Sequence, residues 1–381
     1  MAAPPRRRDS PPVLPDEIVE EILLRLPPDE PAPLLRVSLV CKSWATIVSS
    51  PWFRRRLHEL HRTPPVLGFL HNWDDEGIPR FIPTTASSFS LAAPDCRNWS
   101  ALDCRHGRAL FLSKGQDANE LLVWEPITGA QRRIPVPVAA SSGCLLAPGA
   151  AVFCAADGCN HRGDCQGGPF HLVLVFTEYT YDDDYVNSVT SACLYSSETA
   201  AWGELTSIHS DFDIDFSFSS GVLVGRSLCY FLSDTALIVE YDLARHTLTV
   251  LDPPPPGSQH CDDTLSLMVA EDGGLGLSQT LDQHLKLWSR KASSGTDAEW
   301  VLTRAIYLEN LLSNGALVNQ TRPLDVLGFA EGANVLFVTT VIGLLTVELE
   351  SGRVRKVYDN HGFCNLIPVV GFYTPVPCGE H

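Results

Sequence analysis

The chain changes the period of its apolar positions once, early on. Between residues 14 and 62 the apolar side chains recur at helical spacing. Leu14, Ile18, Ile22 and Leu26 stand four apart with Leu23 beside them, which places one greasy face on an α-helix. Asp16, Glu17, Glu20 and Glu21 crowd its first turns, where carboxylates suit the positive end of the helix dipole. A second apolar set follows in Leu34, Leu35, Val37, Val40, Cys41 and Trp44, with Ile47 and Val48 beyond. The proline-rich stretch from Pro27 to Pro33 reads as a loop, and the second helix is expected near Pro33, since proline suits a helix start and not an interior. A module of about 45 residues sits near the lower limit for independent folding. Its apolar surplus has two readings: packing against the rest of its own chain, or a partner.

After Thr63-Pro64-Pro65 the helical period gives way to short runs of Val, Leu, Phe, Tyr and Thr, punctuated by Gly, Pro, Asn and Asp. The clearest unit spans 107–137: a strand in GRALFLS, a turn, a strand ending at Trp124-Glu125-Pro126, a turn at Thr128-Gly129 and a further strand. Similar units stand at 191–205, 236–251, 284–302 and 343–358. Each holds an apolar strand, an aromatic or acidic residue, a polar turn and another strand, and each follows a further strand candidate, at 171–179, 221–233, 265–279 and 325–340 in turn. The apolar run Val335–Val347 reads as two buried strands joined at Gly343, being too short to span a bilayer, which needs about 20 residues. The stretches 147–169 and 182–186 read as loops, and Asp211–Phe216 alternates acid with apolar as an edge strand does. Repetition every ~45–70 residues is the range of propeller blades with some long loops. The expected fold class is therefore an α+β multidomain chain: a tail at 1–11, an all-α helical module at 12–62 and a large all-β domain at 63–381, a β-propeller of about six or seven blades. A β-sandwich or an open stack of sheets is the alternative.

Leu14-Pro15-Asp16-Glu17-Ile18, Ile22-Leu23, Leu26-Pro27, Leu34 to Val37 and Val40-Cys41-Lys42-Ser43-Trp44, at these spacings, resemble an F-box. The 63–381 region is similar to the F-box-associated β domain common in plant F-box proteins, through its texture and the Val123-Trp124-Glu125-Pro126-Ile127-Thr128-Gly129 turn. The proline-rich corner before Leu34 departs from the F-box pattern. The resemblance implies a non-catalytic substrate receptor of a cullin–RING (SCF-type) ubiquitin ligase. Such a subunit binds a Skp-type adaptor, and cullin through it, with the helices, and a target protein with the β domain. Leu14, Pro15, Ile18, Ile22, Leu34, Leu35, Val40, Cys41 and Trp44 are the residues it implies for the adaptor interface or the core beneath it. The pattern leaves those two roles unseparated.

Charge sharpens this. Residues 1–62 carry a net of +2 and the remainder −19, out of −17 overall. An acidic body of that size disfavours binding to nucleic acid or anionic membrane; solubility is its leading reading, and it mildly favours a basic protein ligand. No apolar segment follows Met1, and the twelve cysteines are scattered, so a reducing compartment, cytoplasmic or nuclear, is expected. No phosphate loop, GxSxG elbow or HExxH helix occurs, and His58-Glu59-Leu60-His61 is one residue short of the last. No cofactor is expected. Cys154, Cys159, His161 and Cys165 are usable metal ligands, but C-x4-C-x-H-x3-C is no standard finger, and a loop that happens to hold thiols is the leading reading. Two further functions stay open: a β-propeller hydrolase, which needs convergent carboxylates of raised pKa, and an adaptor-binding scaffold acting outside the ligase.

Overall fold

Proline and carboxylate placement sets the helix starts. The computed structural model describes residues 14–72, 80–84, 91, 99–114, 120–140, 148–159, 165, 167–182, 185–210, 214–216, 220–255, 264–281, 284–291, 298–307, 325–340, 342–359, 363 and 366–375. The tail expected at 1–11 lies outside them. Helix α1 (Asp16–Leu23) opens after Pro15, whose carbonyl accepts the N–H groups of Ile18 and Val19 at 3.0 and 3.1 Å. Helix α2 (Pro31–Ser38) begins two residues before the position expected from Pro33. Both Pro31 and Pro33 fit, because the first turn of a helix uses no backbone N–H. Helix α3 (Lys42–Ser49) runs to Ser50, whose hydroxyl caps α4 (Pro51–His61) by accepting the Phe53 N–H at 3.1 Å. These helices bury Val19, Leu23, Leu24, Leu34, Val48, Phe53 and Leu57 together, and Phe372 from the far end of the β domain completes that core.

The β region forms six sheets. Strands β1 (Val66–His71) and β2 (Arg80–Pro83) come first. The next sheet is β3 (Trp99–Arg105), β4 (Arg108–Ser113), β5 (Glu120–Trp124) and β6 (Gln131–Pro135). A second holds β7 (Gly149–Cys154), β8 (Phe170–Asp182), β9 (Tyr185–Ser196) and β10 (Ala201–Trp202), with β11 (Thr206–Ser210) also on β9. Then follow β12 (Val222–Val224), β13 (Leu228–Leu232), β14 (Ile238–Asp242) and β15 (Thr247–Leu251). A fourth contains β16 (Thr264–Val269), β17 (Leu275–Leu281), β18 (His284–Lys291) and β19 (Glu299–Tyr307). The fifth is β20 (Asp325–Ala330), β21 (Val335–Thr340), β22 (Gly343–Glu348) and β23 (Val354–Tyr358). The last strand, β24 (Leu366–Val370), pairs antiparallel with β1, Leu70 opposite Ile367, so the sixth sheet joins both ends of the β region.

Each sheet packs on the next through its own buried cluster, and the set closes: Leu70, Ile367 and Val369 of the sixth sheet share a core with Ala101, Phe111 and Trp124 of the first. An open stack would leave that pair of sheet faces unpacked. The molecule is thus a six-bladed β-propeller carrying a four-helix module, and neither a sandwich nor a stack. Near the axis the inner strands approach so closely that a Cβ on Gly328 of β20 would lie 2.6 Å from the Leu366 carbonyl oxygen. Gly343, at the corner joining β21 to β22, has φ of +124°, a conformation suited to glycine.

The recurring turn also has a physical explanation. At the end of a blade's third strand, Glu125, Asp242 and Glu348 each accept, at the backbone carbonyl, an N–H four residues on, from Gly129, His246 and Gly352 at 2.8–2.9 Å. Their carboxylates hold the same turns: Thr128 Oγ1 and Ser351 Oγ donate to Glu125 and Glu348, and the Ala244 and Arg245 N–H groups donate to Asp242.

Three expectations are corrected. The strand candidates at 221–233, 265–279 and 325–340 are each a hairpin of two strands, which raises the blades to four strands. The supposed loop 147–169 contains β7, an apolar run buried throughout as the innermost strand of its blade. At the supposed loop 182–186, strands β8 and β9 are paired out to Asp182 and Tyr185. The edge strand expected at 211–216 falls partly outside the described residues; Ile214 and Phe216, which are described, are buried core residues outside any strand.

Candidate functional site

A helix that buries one side against a core and keeps apolar groups on the other has a second surface to fill. Helix α1 is such a helix: Val19, Leu23 and Leu24 point into the module core, while Ile18 and Ile22 are 48% and 49% exposed and Leu14, just before it, 52%. In α2, Leu34 is buried and Leu35 is 39% exposed; Val40, in the link to α3, is 62% exposed. Pro15 and Cys41 are exposed as well. Trp44, on α3, is half-buried and packs against the module core. The nine candidates thus divide by position: Leu34 belongs to the core, Trp44 stands at its margin, and the other seven face outward. Sequence reasoning passed over Leu39, which at 77% is the most exposed large apolar side chain of the described helical module. Its signal was available, since it adjoins Val40 just past the last periodic position of α2.

The opposite side of the module is fastened to the propeller. Phe372 packs edge-on to the His58 ring, centroids 4.5 Å apart, and the Gly371 N–H donates to the Pro65 carbonyl at 3.1 Å. His61 Nε2 lies 2.8 Å from the Leu24 carbonyl oxygen, and Arg56 pairs with Glu21 at 2.7 Å, tying α4 to α1. Beneath α4 a cavity of about 660 Å³ opens onto the propeller axis, walled by Arg54, His58 and Phe372 on one side and Asp103, Arg105 and Glu331 on the other.

Arg105 stands at the axis. Its Nε lies 3.7 Å from Asp103 Oδ2, its Nη1 3.4 Å from Glu331 Oε2, and its Nη2 donates to the Gly221 carbonyl. One guanidinium therefore links three blades. Burial opposes its charge, and Asp103 and Glu331 more than offset that, so the group stays fully protonated. Beyond it the axial channel, of about 370 Å³, runs between Ser220–Val222, Thr264–Leu267 and Val326–Gly328. Burial pushes the Asp325 carboxyl above its ordinary range, and a hydrogen bond from Thr264 partly opposes this.

The cysteine candidates converge in part. Cys154 closes β7, and Cys159 and Cys165 stand in the connection to β8; their sulfurs lie within 4.8 Å of one another. His161 lies outside the described residues. Cys193 and Cys229 are buried in the propeller core, and burial pushes each thiol up to about 12.

Comparison with known proteins agrees with this arrangement. Residues 12–56 match the F-box domain, and residues 100–376 match the β-propeller described as that of F-box proteins like AT5G49610. A curated relative, F-box protein At3g26010 of Arabidopsis thaliana, is 26% identical over 318 residues, covering 79% of this chain and 70% of the relative.

Proposed function

The chain belongs to the plant F-box proteins with an AT5G49610-like β-propeller, and from that premise we propose that it is the substrate-receiving subunit of a cullin–RING ubiquitin ligase. The outward face of the helical module carries this reading. Ile18 and Ile22 of α1, Leu35 of α2, and Leu14, Leu39 and Val40 beside these helices stay exposed, while the inner sides of the helices pack in the module core. A Skp-type adaptor is the partner that F-box domains generally bind, and this face is where it docks. The propeller presents the target. Its loops at the channel mouth away from the helices, around Asp234–Ala236, are the receiving surface, and the acidic body selects for a basic region of the target. The subunit performs no chemistry: it holds target lysines within reach of the charged ubiquitin carrier, and the rate gain comes from proximity.

Co-purification tests this. Tagged full-length chain is recovered from plant cells beside an Ile18→Asp/Val40→Asp variant, and the adaptor and cullin are quantified in each. The proposal expects both proteins with the wild type and neither with the variant. Adaptor without cullin assigns the chain to a scaffold outside the ligase, and absence of both from folded wild type overturns the reading.

A further inference from the structure

Three thiols within twelve residues of the second blade come together where β7 gives way to β8. Cys154 is the last residue of β7, Cys159 follows a turn and Cys165 precedes β8; Cys154 and Cys165 are buried and Cys159 is half-buried. All three sulfurs fall within 4.8 Å of one another, and those of Cys159 and Cys165 are 3.6 Å apart. That separation is well outside the ~2.05 Å of a disulfide. It is close to the ~3.8 Å sulfur–sulfur edge of a tetrahedron with metal–sulfur bonds of ~2.3 Å.

The described residues of this connection are held from both neighbouring blades. Arg108 of β4 donates from Nη2 to the carbonyls of Cys165 and Gly168, and its Nε lies 3.4 Å from Glu125, whose carboxylate also accepts the Gly167 N–H at 2.9 Å. From the other side, Arg226 of the β12–β13 turn donates to the Ala156 carbonyl at 3.0 Å and the Cys159 carbonyl at 3.5 Å. The Cys154 N–H donates to His106 Nδ1 at 3.1 Å. Backbone anchoring thus adds to the hydrogen bond between Cys159 Sγ and Cys165 Sγ, in which either sulfur can donate.

We propose that Cys154, Cys159 and Cys165 form a structural zinc site that clips the β7–β8 connection of the second blade. Each thiol loses its proton as the Zn–S bond forms, and water or one further group fills the fourth position. Burial, together with the adjoining sulfurs of Cys154 and Cys159, pushes the Cys165 thiol well above its ordinary range. The cation reverses that preference, so zinc affinity falls as pH drops. Cys165 also lines the cavity beneath α4, and the clip stiffens that wall. This inference is independent of the ligase reading.

The test is the metal content of full-length protein purified without chelators, with Cys154→Ser/Cys159→Ser/Cys165→Ser and Cys193→Ser beside it. Expected are about one zinc per chain in the wild type and in Cys193→Ser, and a loss of about tenfold or more in the triple variant. Should the triple variant fail to fold, cobalt(II) added to apo wild type decides: tetrahedral cobalt bands with thiolate-to-cobalt charge transfer support the site. Wild-type protein without zinc that shows no such bands overturns the proposal. So does a Cys159–Cys165 disulfide found by mass spectrometry in freshly purified protein, or zinc retained by a folded triple variant.

Discussion

The helical module and the propeller handle apolar surface in opposite ways. The propeller buries most of its own, apart from scattered exposed side chains such as Val138: each sheet packs on a neighbour, and pairing of β24 with β1 closes the last pair of faces. The module, built from helices of 8 to 11 residues, has too little interior for its apolar residues. It fills one side with Phe372 borrowed from the propeller and leaves the other side open. One region closes on itself and the other keeps an apolar face open, the face proposed above for the adaptor.

Substitutions can break this contrast. The largest effect is expected at Phe53, fully buried where α4 meets Phe372: Phe53→Ala should cost the module ~3–5 kcal/mol. Limited proteolysis would then cut within α1–α4 while the propeller stays resistant. Arg105→Met should weaken the other region, since it leaves Asp103 and Glu331 near the axis without their cation. Breaking such a buried group costs about 3 kcal/mol or more, read as a lower midpoint of the propeller's denaturant transition. On the open face the sign of the contrast inverts. Ile22→Ala should change folding stability by under ~0.5 kcal/mol yet weaken adaptor binding by ~2 kcal/mol if it is a buried anchor there, about thirtyfold in Kd. The smallest effect concerns pH. Burial lowers the pKa of His171, which packs on Phe153, and Glu198 partly opposes this. The unfolded chain therefore takes up that proton at higher pH than the folded one. Stability is unaffected well above ~6.5 and declines as pH falls below it, and His171→Gln should flatten that part of the profile.

Much of this was legible in the chain, for reasons that also mark where legibility stops. The four-residue spacing of Leu14, Ile18 and Ile22 marks a genuine helical face, but periodicity cannot say whether a face looks inward or outward. In α1 the core took Val19 and Leu23, offset by one position, and left the more regular set in solvent. The Glu125, Asp242 and Glu348 turns are readable because their hydrogen bonds are local. β7 was missed because Gly149–Cys154 is buried on both faces and shows no alternation, and the Gly- and Cys-rich residues after it look like loop. Blade number and closure depend on β24 finding β1 across the whole domain, which no local signal encodes. The thiol cluster depends on the fold of a loop whose spacing matches no standard finger.

The central claim, that the open face is a docking surface and not a defect of packing, is tested most directly by calorimetric titration of purified Skp-type adaptor into the full-length chain. Wild type and an Ile18→Ala/Ile22→Ala variant would be compared at matched folding, verified by circular dichroism. The account predicts saturable one-to-one binding by the wild type and at least a tenfold loss in the variant, with the same unfolding transition in both. A folded wild type that does not bind, or a variant that binds equally well, would contradict it.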